Sequence, residues 1–339
     1  MLAVLPPCAA VEPGTSPYIS FEAALGREGS ERGAFRGPTY VSEMSDGNLL
    51  VTESQNVRAQ VLTPQGESRY YLPASLSYPG GSAVNGSFMF IAQQQGRGLL
   101  KLRLDGTLVA SAGADVERQP DWIESGLGVL LRASTVFVAD VTQYRVNAYD
   151  EQTLERRFTI DQASLTSPPA GCRARRARPG PFAGPSCFNP HGLAASGRHG
   201  GRLFVSDPDN GCVHVFRTAD GAHVRAIGPA LAGGARLEVP RGVAVAHGRL
   251  LLVAERARLL VLSLGGRLLQ SLVVPGAQNM LGLSVGAHGR AYAADPSSHQ
   301  VYTFRMAAAA SELEAAIGNA DGATLHELVD DSTCDGAGG

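Results

Sequence analysis

Short apolar runs, separated by turns rich in glycine, proline, asparagine and aspartate, follow one another along most of this chain. Some runs are continuously apolar, such as Leu250 to Ala254 and Val136 to Ala139, and runs of this length are typical of strands buried on both faces. Others alternate apolar and polar positions, as Val301 to Phe304 do, which is typical of strands with one face on a core. The pattern therefore predicts an all-β chain of many short strands.

The strands belong to a repeat that occurs six times. Two copies align directly, FNPHGLAASGRHGGRLFVSDPDNGCVHVF from Phe188 and VPRGVAVAHGRLLLVAERARLLVLSL from Val239, and four more begin near Gly37, Tyr78, Gln119 and Asn279. A first anchor precedes the first strand of each copy, at Pro38, Pro79, Pro120, Pro190, Pro240 and Met280. A second anchor closes the second strand, at Glu53, Gln93, Asp140, Asp207, Glu255 and Asp295. The second anchors lie 40 to 67 residues apart, and repeats of about 40–50 residues with several short strands are typical of propeller blades.

The ends of the repeat array indicate how the ring closes. The segment before the first copy, LGREGSERGAFRGPTYV, resembles the connector before the fifth copy, IGPALAGGARLEVPRGVAV. Tyr18 to Ala24 is therefore predicted to be an outer strand without a blade of its own, whereas the sixth copy ends after three strands near Met306. We predict a six-bladed β-propeller of four-stranded blades whose last blade is completed by the N-terminal strand, because closure removes exposed sheet edges.

These residues carry a family resemblance. The pattern Phe-x-x-Pro-x-Gly-Val-Ala-Val, then Val-Ala-Asp, a turn and Val-x-Val-Phe is similar to that of NHL repeats over residues 17–306. The resemblance implies an NHL-type propeller between an N-terminal extension, 1–16, and a helical or disordered tail, 307–339. A Pro/Gly-rich insertion at about 161–187 separates blades three and four and contains a cluster of arginines at Arg173, Arg175, Arg176 and Arg178. It is either a solvated insertion or a basic docking loop for an acidic partner.

The residue after each first anchor is expected at the mouth of the central channel. These positions are Thr39, Gly80, Asp121, His191, Arg241 and Leu281. Blades three, four and five therefore supply Asp121, His191 and Arg241 as a candidate ligand-binding site, to which we assign no catalytic residue. The second anchors, one per blade at a strand end, indicate carboxylates that accept backbone N–H bonds from the following turn. Trp122 is expected as a core residue in the first strand of blade three.

Two enzyme families bear on this site. Phe188 to Ile227 resembles one blade of the peptidyl-hydroxyglycine amidating lyases, and this resemblance implies a zinc ion held by histidines from three alternate blades. His191 matches, but the positions two blades away hold Gly80 and Leu281, which cannot bind a metal that needs three protein ligands. In blade number the chain also resembles sugar-lactonase and strictosidine-synthase-like propellers, whose Glu/Asn/Asp set is missing. We predict no metal and no cofactor, and specifically no zinc at His191.

Composition, charge and cysteine content narrow the class of protein further. Of 339 residues, 44% are hydrophobic and 18% charged, as in a globular protein with a large core. The 29 basic and 31 acidic residues leave a net charge of −2, so no overall positive field attracts nucleic acid. The five cysteines include no Cys-x-x-Cys pair, which argues against a disulfide framework and a cysteine zinc site and leaves only a Cys172–Cys187 bridge open.

Targeting signals are missing from the pattern as well. No run approaches the roughly 18 apolar residues of a membrane span. Met1 to Ala10 lacks the basic region and the long apolar region of a signal peptide. A soluble cytoplasmic protein is expected.

The absence of a complete catalytic set favours a non-catalytic scaffold that presents one propeller face to a protein or peptide partner. The NHL resemblance implies a recruitment module associated with ubiquitin ligases, although the ligase's own RING and B-box clusters are absent. One alternative is a propeller enzyme, amidating-lyase-like or lactonase-like, with its active site at the channel mouth. Another is an RNA-binding NHL propeller, for which positive charge would come from Arg58, Arg97, Arg145, Arg241, Arg256 and Arg258.

Overall fold

The computed structural model describes residues 18–307 apart from 74, 96–97, 115–121, 167–186, 198–200, 229 and 233–235. These residues form six four-stranded antiparallel sheets, each with its strands in radial order. The first strands of successive sheets contact one another around a closed ring, so they surround the central channel. The sequence prediction of a six-bladed all-β propeller is confirmed.

The strand bounds follow the repeat, with the first strand of the chain, β1 (Ile19–Leu25), reserved for the last blade. Blade one contains β2 (Pro38–Glu43), β3 (Leu49–Glu53), β4 (Arg58–Leu62) and β5 (Ser68–Tyr71). Blade two contains β6 (Pro79–Val84), β7 (Phe88–Gln93), β8 (Leu99–Arg103) and β9 (Leu108–Ala112). Blade three contains β10 (Gly126–Arg132), β11 (Thr135–Asp140), β12 (Arg145–Asp150) and β13 (Arg156–Ile160), followed by a 3-10 turn at Gln162–Ser164.

The second half of the ring has the same plan. Blade four contains β14 (Leu193–Ser196), β15 (Arg202–Asp207), β16 (Cys212–Arg217) and β17 (His223–Ile227). Blade five contains β18 (Gly242–Ala246), β19 (Leu250–Glu255), β20 (Arg258–Ser263) and β21 (Leu268–Val273). Blade six contains β22 (Gly282–Val285), β23 (Arg290–Asp295) and β24 (Gln300–Met306), and β1 pairs with β24 as its outer strand.

Strand β1 closes the ring as the duplicated connector predicted, one residue further along the chain. It pairs antiparallel with β24 from Ile19 opposite Met306 to Leu25 opposite Val301. Ile19 is buried in the core between blades five and six. The Gln270 side chain in blade five binds both the backbone N–H and the carbonyl of Ile19, at 3.0 and 2.7 Å. The strand is therefore held by two blades.

The hydrophobic core is divided among the blade interfaces. Six clusters of buried side chains lie one in each interface, including the interface between blades six and one. The second strands are buried along their whole length, as in β11 and β19, or along all but their first residue, as in β7 and β15. This burial on both faces explains why their sequences are continuously apolar instead of alternating.

The first strand of blade three starts later than the sequence predicted. Asp140, which closes β11, accepts hydrogen bonds from the backbone N–H groups of Glu124 and Ser125 at 3.0 and 3.1 Å. In blade five the corresponding N–H groups belong to the two residues immediately before Pro240. Gly126 therefore occupies the anchor position of blade three, and the assignment of Trp122 to the first strand is wrong: Trp122 precedes β10 and is half-buried.

A glycine in the first strand allows each of five blades to approach the next closely. A Cβ atom on any of these glycines would lie 2.1–2.8 Å from the carbonyl oxygen of the mouth residue in the following blade. They are Gly81, Gly128, Gly192, Gly242 and Gly282. In blade one the corresponding residue is Tyr40, whose hydroxyl donates to the Leu283 carbonyl. The glycines set the narrow width of the ring at this level.

Several sequence predictions fall on residues outside the described ranges: Asp121, the four arginines of the insertion and the C-terminal helix. Cys187 is disulfide-bonded, and its partner also lies outside the described residues. Among the helices that the structure does describe, none is long and apolar enough to cross a membrane.

Candidate functional site at the channel mouth

The mouth of the channel is defined by the residues that directly precede the five first-strand glycines and Tyr40. With the corrected register of blade three, the ring is Thr39, Gly80, Leu127, His191, Arg241 and Leu281. His191 and Arg241 stand where the sequence predicted them, whereas Leu127 occupies the position expected for Asp121. The sequence carried a signal for this shift, because Pro120 precedes Asp140 by 20 residues and the same separation is 14 to 17 in the other blades.

The backbone of His191 is hydrogen-bonded, whereas one nitrogen of its imidazole ring has no partner among the described residues. Its N–H donates to the Ser206 carbonyl at 2.9 Å, while the half-buried imidazole has a buried Nδ1 atom with no hydrogen-bond partner in the described part of the chain. Burial lowers the pKa of His191 to about 4, and the positive charge of Arg241 acts in the same direction against the opposing carboxylate of Asp207. The imidazole is therefore neutral at physiological pH.

Arg241, in the adjacent blade, likewise has a hydrogen-bonded backbone and a partly buried side chain. Its backbone N–H donates to the Ala254 carbonyl at 2.9 Å, and its Nε atom is buried without a partner among the described residues. Burial lowers the pKa of Arg241, with Asp209 opposing the shift and Arg256 adding to it. An arginine always remains charged at neutral pH, so this mouth holds a partly desolvated positive charge.

Two hydroxyl groups lock neighbouring mouth positions together. Ser206 Oγ accepts the Gly192 N–H at 2.8 Å and donates to the Arg241 carbonyl at 2.5 Å. Thr52 Oγ1 makes the corresponding bond from blade one to the Gly80 carbonyl at 2.6 Å. Neither residue was singled out from the sequence. Both hold the backbone of the ring, so the side chains of the mouth are carried by a rigid frame.

A third open polar atom lies beside this pair. Asn189 donates its side-chain amide to Asp209 at 2.8 Å, and its Oδ1 atom is buried without a partner in the described residues. Buried polar atoms in native proteins nearly always have partners, so each exception needs an explanation. Three exceptions at the entrance of blades four and five, on Asn189, His191 and Arg241, are explained if a polar ligand binds there.

The second anchors accept backbone N–H bonds from the following turn, as the sequence predicted, in blades three, four and six. A second source of N–H groups was not predicted. Each buried carboxylate accepts backbone N–H bonds from the loop before its own first strand, as Asp295 does from Gln278 and Asn279 at 2.7 and 2.8 Å. In blades one and five the acid also binds an arginine: Arg58 binds Glu53 and Arg258 binds Glu255, both at 2.7 Å. These arginines neutralise buried acids and so contribute little free positive charge for RNA.

Below the mouth the channel is mostly apolar. A cavity of about 230 Å³ is lined mainly by valine, leucine and alanine from the first strands, together with Tyr40 and a few serines. At the far end Glu43 accepts bonds from the Tyr292 hydroxyl and His288, at 2.7 and 2.8 Å. Burial, followed by the hydrogen bond that the Tyr292 hydroxyl donates to Glu43, raises the pKa of Tyr292. Within this cavity the Ser284 hydroxyl has no hydrogen-bond partner among the described residues, whereas the open histidine and arginine nitrogens lie at the mouth.

Arg241 and Arg258 form a matched pair for mutation. Arg241→Ala is expected to change the free energy of unfolding by less than about 0.5 kcal/mol, because the described residues offer its guanidinium no ion pair. Arg258→Ala is expected to cost about 3 kcal/mol, because it leaves Glu255, a fully buried acid, unpaired. Chemical denaturation of both variants measures the difference. An equal loss in the two variants would show that Arg241 is part of the structural frame.

Comparison with known proteins gives similarity at the level of the fold. No family model matches the chain, and no curated protein matches it. Among solved structures, a gluconolactonase from Xanthomonas campestris is 13% identical with a TM-score of 0.57, over 87% of this chain and 99% of that one. A catalytically inactive histidine-to-alanine variant of virginiamycin B lyase from Staphylococcus aureus, with quinupristin, is 11% identical with a TM-score of 0.56, over 85% and 100%. A chain of the nidogen–laminin complex is 12% identical with a TM-score of 0.55, over 75% and 84%. At these identities the chain shares their propeller fold, and the resemblance to NHL repeats stays a prediction.

Proposed function

We propose that this propeller is an enzyme of the lyase or hydrolase type that acts at its channel mouth on a small substrate carrying an anionic or carbonyl oxygen. The observation that carries the proposal is the pairing of a neutral histidine with a partly desolvated arginine in adjacent blades, each with an open buried nitrogen atom. A scaffold needs neither feature. Side chains with perturbed pKa values in a concave site are typical of active sites.

The two side chains divide the chemistry between them. His191, neutral at physiological pH, can accept a proton from a substrate carbon or from an attacking water molecule. Arg241 presents a planar set of donors that binds a carboxylate or stabilises an oxygen on which negative charge develops. Because Ser206 ties the backbones of the two blades together, these groups keep their relative position during the reaction.

The donor set at the mouth does not fit a divalent cation. The six positions provide one imidazole, one guanidinium and the Thr39 hydroxyl, which already donates to the Gly37 carbonyl at 3.2 Å. Metal sites with open positions are built from about three protein ligands. We therefore assign the proposed reaction to the side chains of His191 and Arg241 alone.

The solved structures lend support to an enzyme over a scaffold. They include a gluconolactonase and a lyase that is inactive as a histidine-to-alanine variant. The nidogen–laminin complex shows that a chain of similar fold occurs in a protein assembly, so a protein-binding face remains the second candidate. RNA binding and a role beside ubiquitin ligases stay predictions from the NHL resemblance.

His191→Gln is expected to abolish turnover of any lactone or cyclic ester that the wild type opens, with D-gluconolactone and quinupristin as first probes. In the wild type, kcat/KM should be constant near neutral pH and fall as the pH drops through about 4, because the base is lost only when His191 is protonated. Arg241→Ala should move this acidic limb towards the ordinary value of 6.5. Full activity in His191→Gln would contradict the proposal.

The scaffold alternative predicts a different outcome for the same variants. A pure binding face would show no turnover in the wild type, and Arg241→Ala would lose partner binding without losing stability. If the centre of an interface lies at Arg241, truncation should weaken binding by about 2 kcal/mol or more. Affinity capture with wild-type and Arg241→Ala proteins, followed by turnover assays on the same preparations, separates the two functions.

A further inference from the structure

The buried acid of blade four has a different cross-strand partner from the acids of blades three and five. The acid lies opposite an arginine in the strand register of blades one, three and five, in the pairs Glu53–Arg58, Asp140–Arg145 and Glu255–Arg258. In blade four the residue opposite Asp207 is Cys212. Asp207, Cys212 and His214 are all fully buried, so the described part of this blade places a thiol and an imidazole where blades one, three and five place a cation; in blade six the residue opposite Asp295 is Gln300.

The three side chains have the spacing of metal ligands. His214 Nε2 lies 3.4 Å from Asp207 Oδ2 and 3.4 Å from Cys212 Sγ, and all three ligand atoms lie within 4.8 Å of one another. Bond lengths of about 2.0–2.3 Å around a tetrahedral zinc ion place neighbouring ligand atoms roughly 3.3–3.6 Å apart. A direct hydrogen bond between His214 and Asp207 would instead be nearer 2.8 Å.

The surroundings orient each ligand. His223 faces the far side of the first imidazole, with its Nε2 atom 3.4 Å from His214 Nδ1. His223 is itself held by a hydrogen bond of 2.8 Å between its Nδ1 atom and Thr166 Oγ1. The carboxylate is oriented too, because Asp207 Oδ2 accepts bonds from the backbone of Asn189 and the side chain of Asn210, at 3.1 and 2.8 Å. Hydrogen-bonded second shells of this kind are typical of metal-binding histidines and carboxylates.

We propose that Asp207, Cys212 and His214 bind one zinc ion inside blade four. Sulfur, nitrogen and oxygen donors together suit zinc, and the ion supplies the positive charge that arginine supplies in three other blades. Zinc binding releases the thiol proton of Cys212 to solvent, and Cys212 binds the ion as a thiolate. Since the ligands are fully buried, the ion has a structural role: it joins the end of β15 to the start of β16 in blade four.

The three ligands are not mouth residues, although Asp207 lies close enough to His191 to act on its pKa, and zinc binding is measured separately from turnover. The proposal departs from our prediction that the protein holds no metal, whereas the narrower prediction that His191 holds no zinc is unaffected. The full chain, purified without chelator and dialysed against metal-free buffer, is expected to retain about one zinc per molecule by elemental analysis. Replacement by Co²⁺ should produce the intense thiolate-to-metal absorption of a cysteine-ligated ion.

Three variants give the proposal its controls. Cys212→Ser should remove the thiolate absorption and most of the bound zinc, His223→Phe should weaken zinc affinity by about 10–100-fold through the second shell, and His191→Ala should keep the zinc. If Cys212→Ser does not fold, the Co²⁺ spectrum of the wild type decides alone. Wild-type protein that takes up neither zinc nor Co²⁺ would overturn the proposal, as would zinc that is lost in His191→Ala and kept in Cys212→Ser.

Discussion

A protein lacking residues 1–25 is expected to aggregate or to melt at a much lower temperature than the full chain. The deletion removes β1, so the backbone N–H and carbonyl groups of β24 become an open sheet edge, which is prone to pair with other chains. It also removes Ile19 from the core between blades five and six. The deletion also removes Glu22. In the folded protein the hydrogen bonds that Glu22 accepts, above all from Arg290 and also from Arg305, hold its pKa at about 2.

Thermal melting and size-exclusion chromatography measure this effect. A deletion of residues 1–16 keeps β1 and serves as the matched control, with a melting temperature close to that of the full chain. A synthetic peptide covering residues 17–26, added to the truncated protein, should restore part of the lost stability by supplying the missing strand. If removal of residues 1–25 shifts the melting temperature by no more than about 2 °C, β1 does not hold the ring closed.

The second large effect is expected at the glycines of the inner ring. In Gly81→Ala the new Cβ atom would lie 2.1 Å from the Leu127 carbonyl oxygen and 2.8 Å from the Val129 nitrogen. Both atoms belong to the backbone of the next blade, so the clash is relieved only if two blades move apart. We expect a loss of about 3 kcal/mol or more in the free energy of unfolding, at the upper end for overpacking of a core.

Gly86→Ala is the control for this substitution, because no atom lies within 4 Å of a Cβ built on Gly86. It lies in the same blade and, like Gly81, has no positive φ angle. Its stability should equal that of the wild type or exceed it slightly, since alanine restricts the unfolded chain. Equal urea midpoints for the two variants would mean that the blades are not in close contact at this level.

The sequence by itself determined the architecture and five of the six mouth positions. Anchor prolines, strand-end acids and turn residues act locally, so each blade carries its own signal, and the duplicated connector indicated that the N-terminal strand closes the ring. His191 and Arg241 were found in the same way, because each follows an anchor proline. The predicted start of the first strand in blade three was wrong because Gly126 stands where the other blades have an anchor residue. Only the backbone hydrogen bonds to Asp140 show where this strand begins.

The tertiary structure alone decided what depends on neighbouring strands and blades. The pKa of His191 is lowered chiefly by burial, and burial is a sum over surrounding blades that no local pattern contains. The meeting of Asp207, Cys212 and His214 depends on the register between β15 and β16 and on the packing that closes over them. The need for glycine in the inner ring follows from the distance between the backbones of two blades, a distance set only when all six pack together.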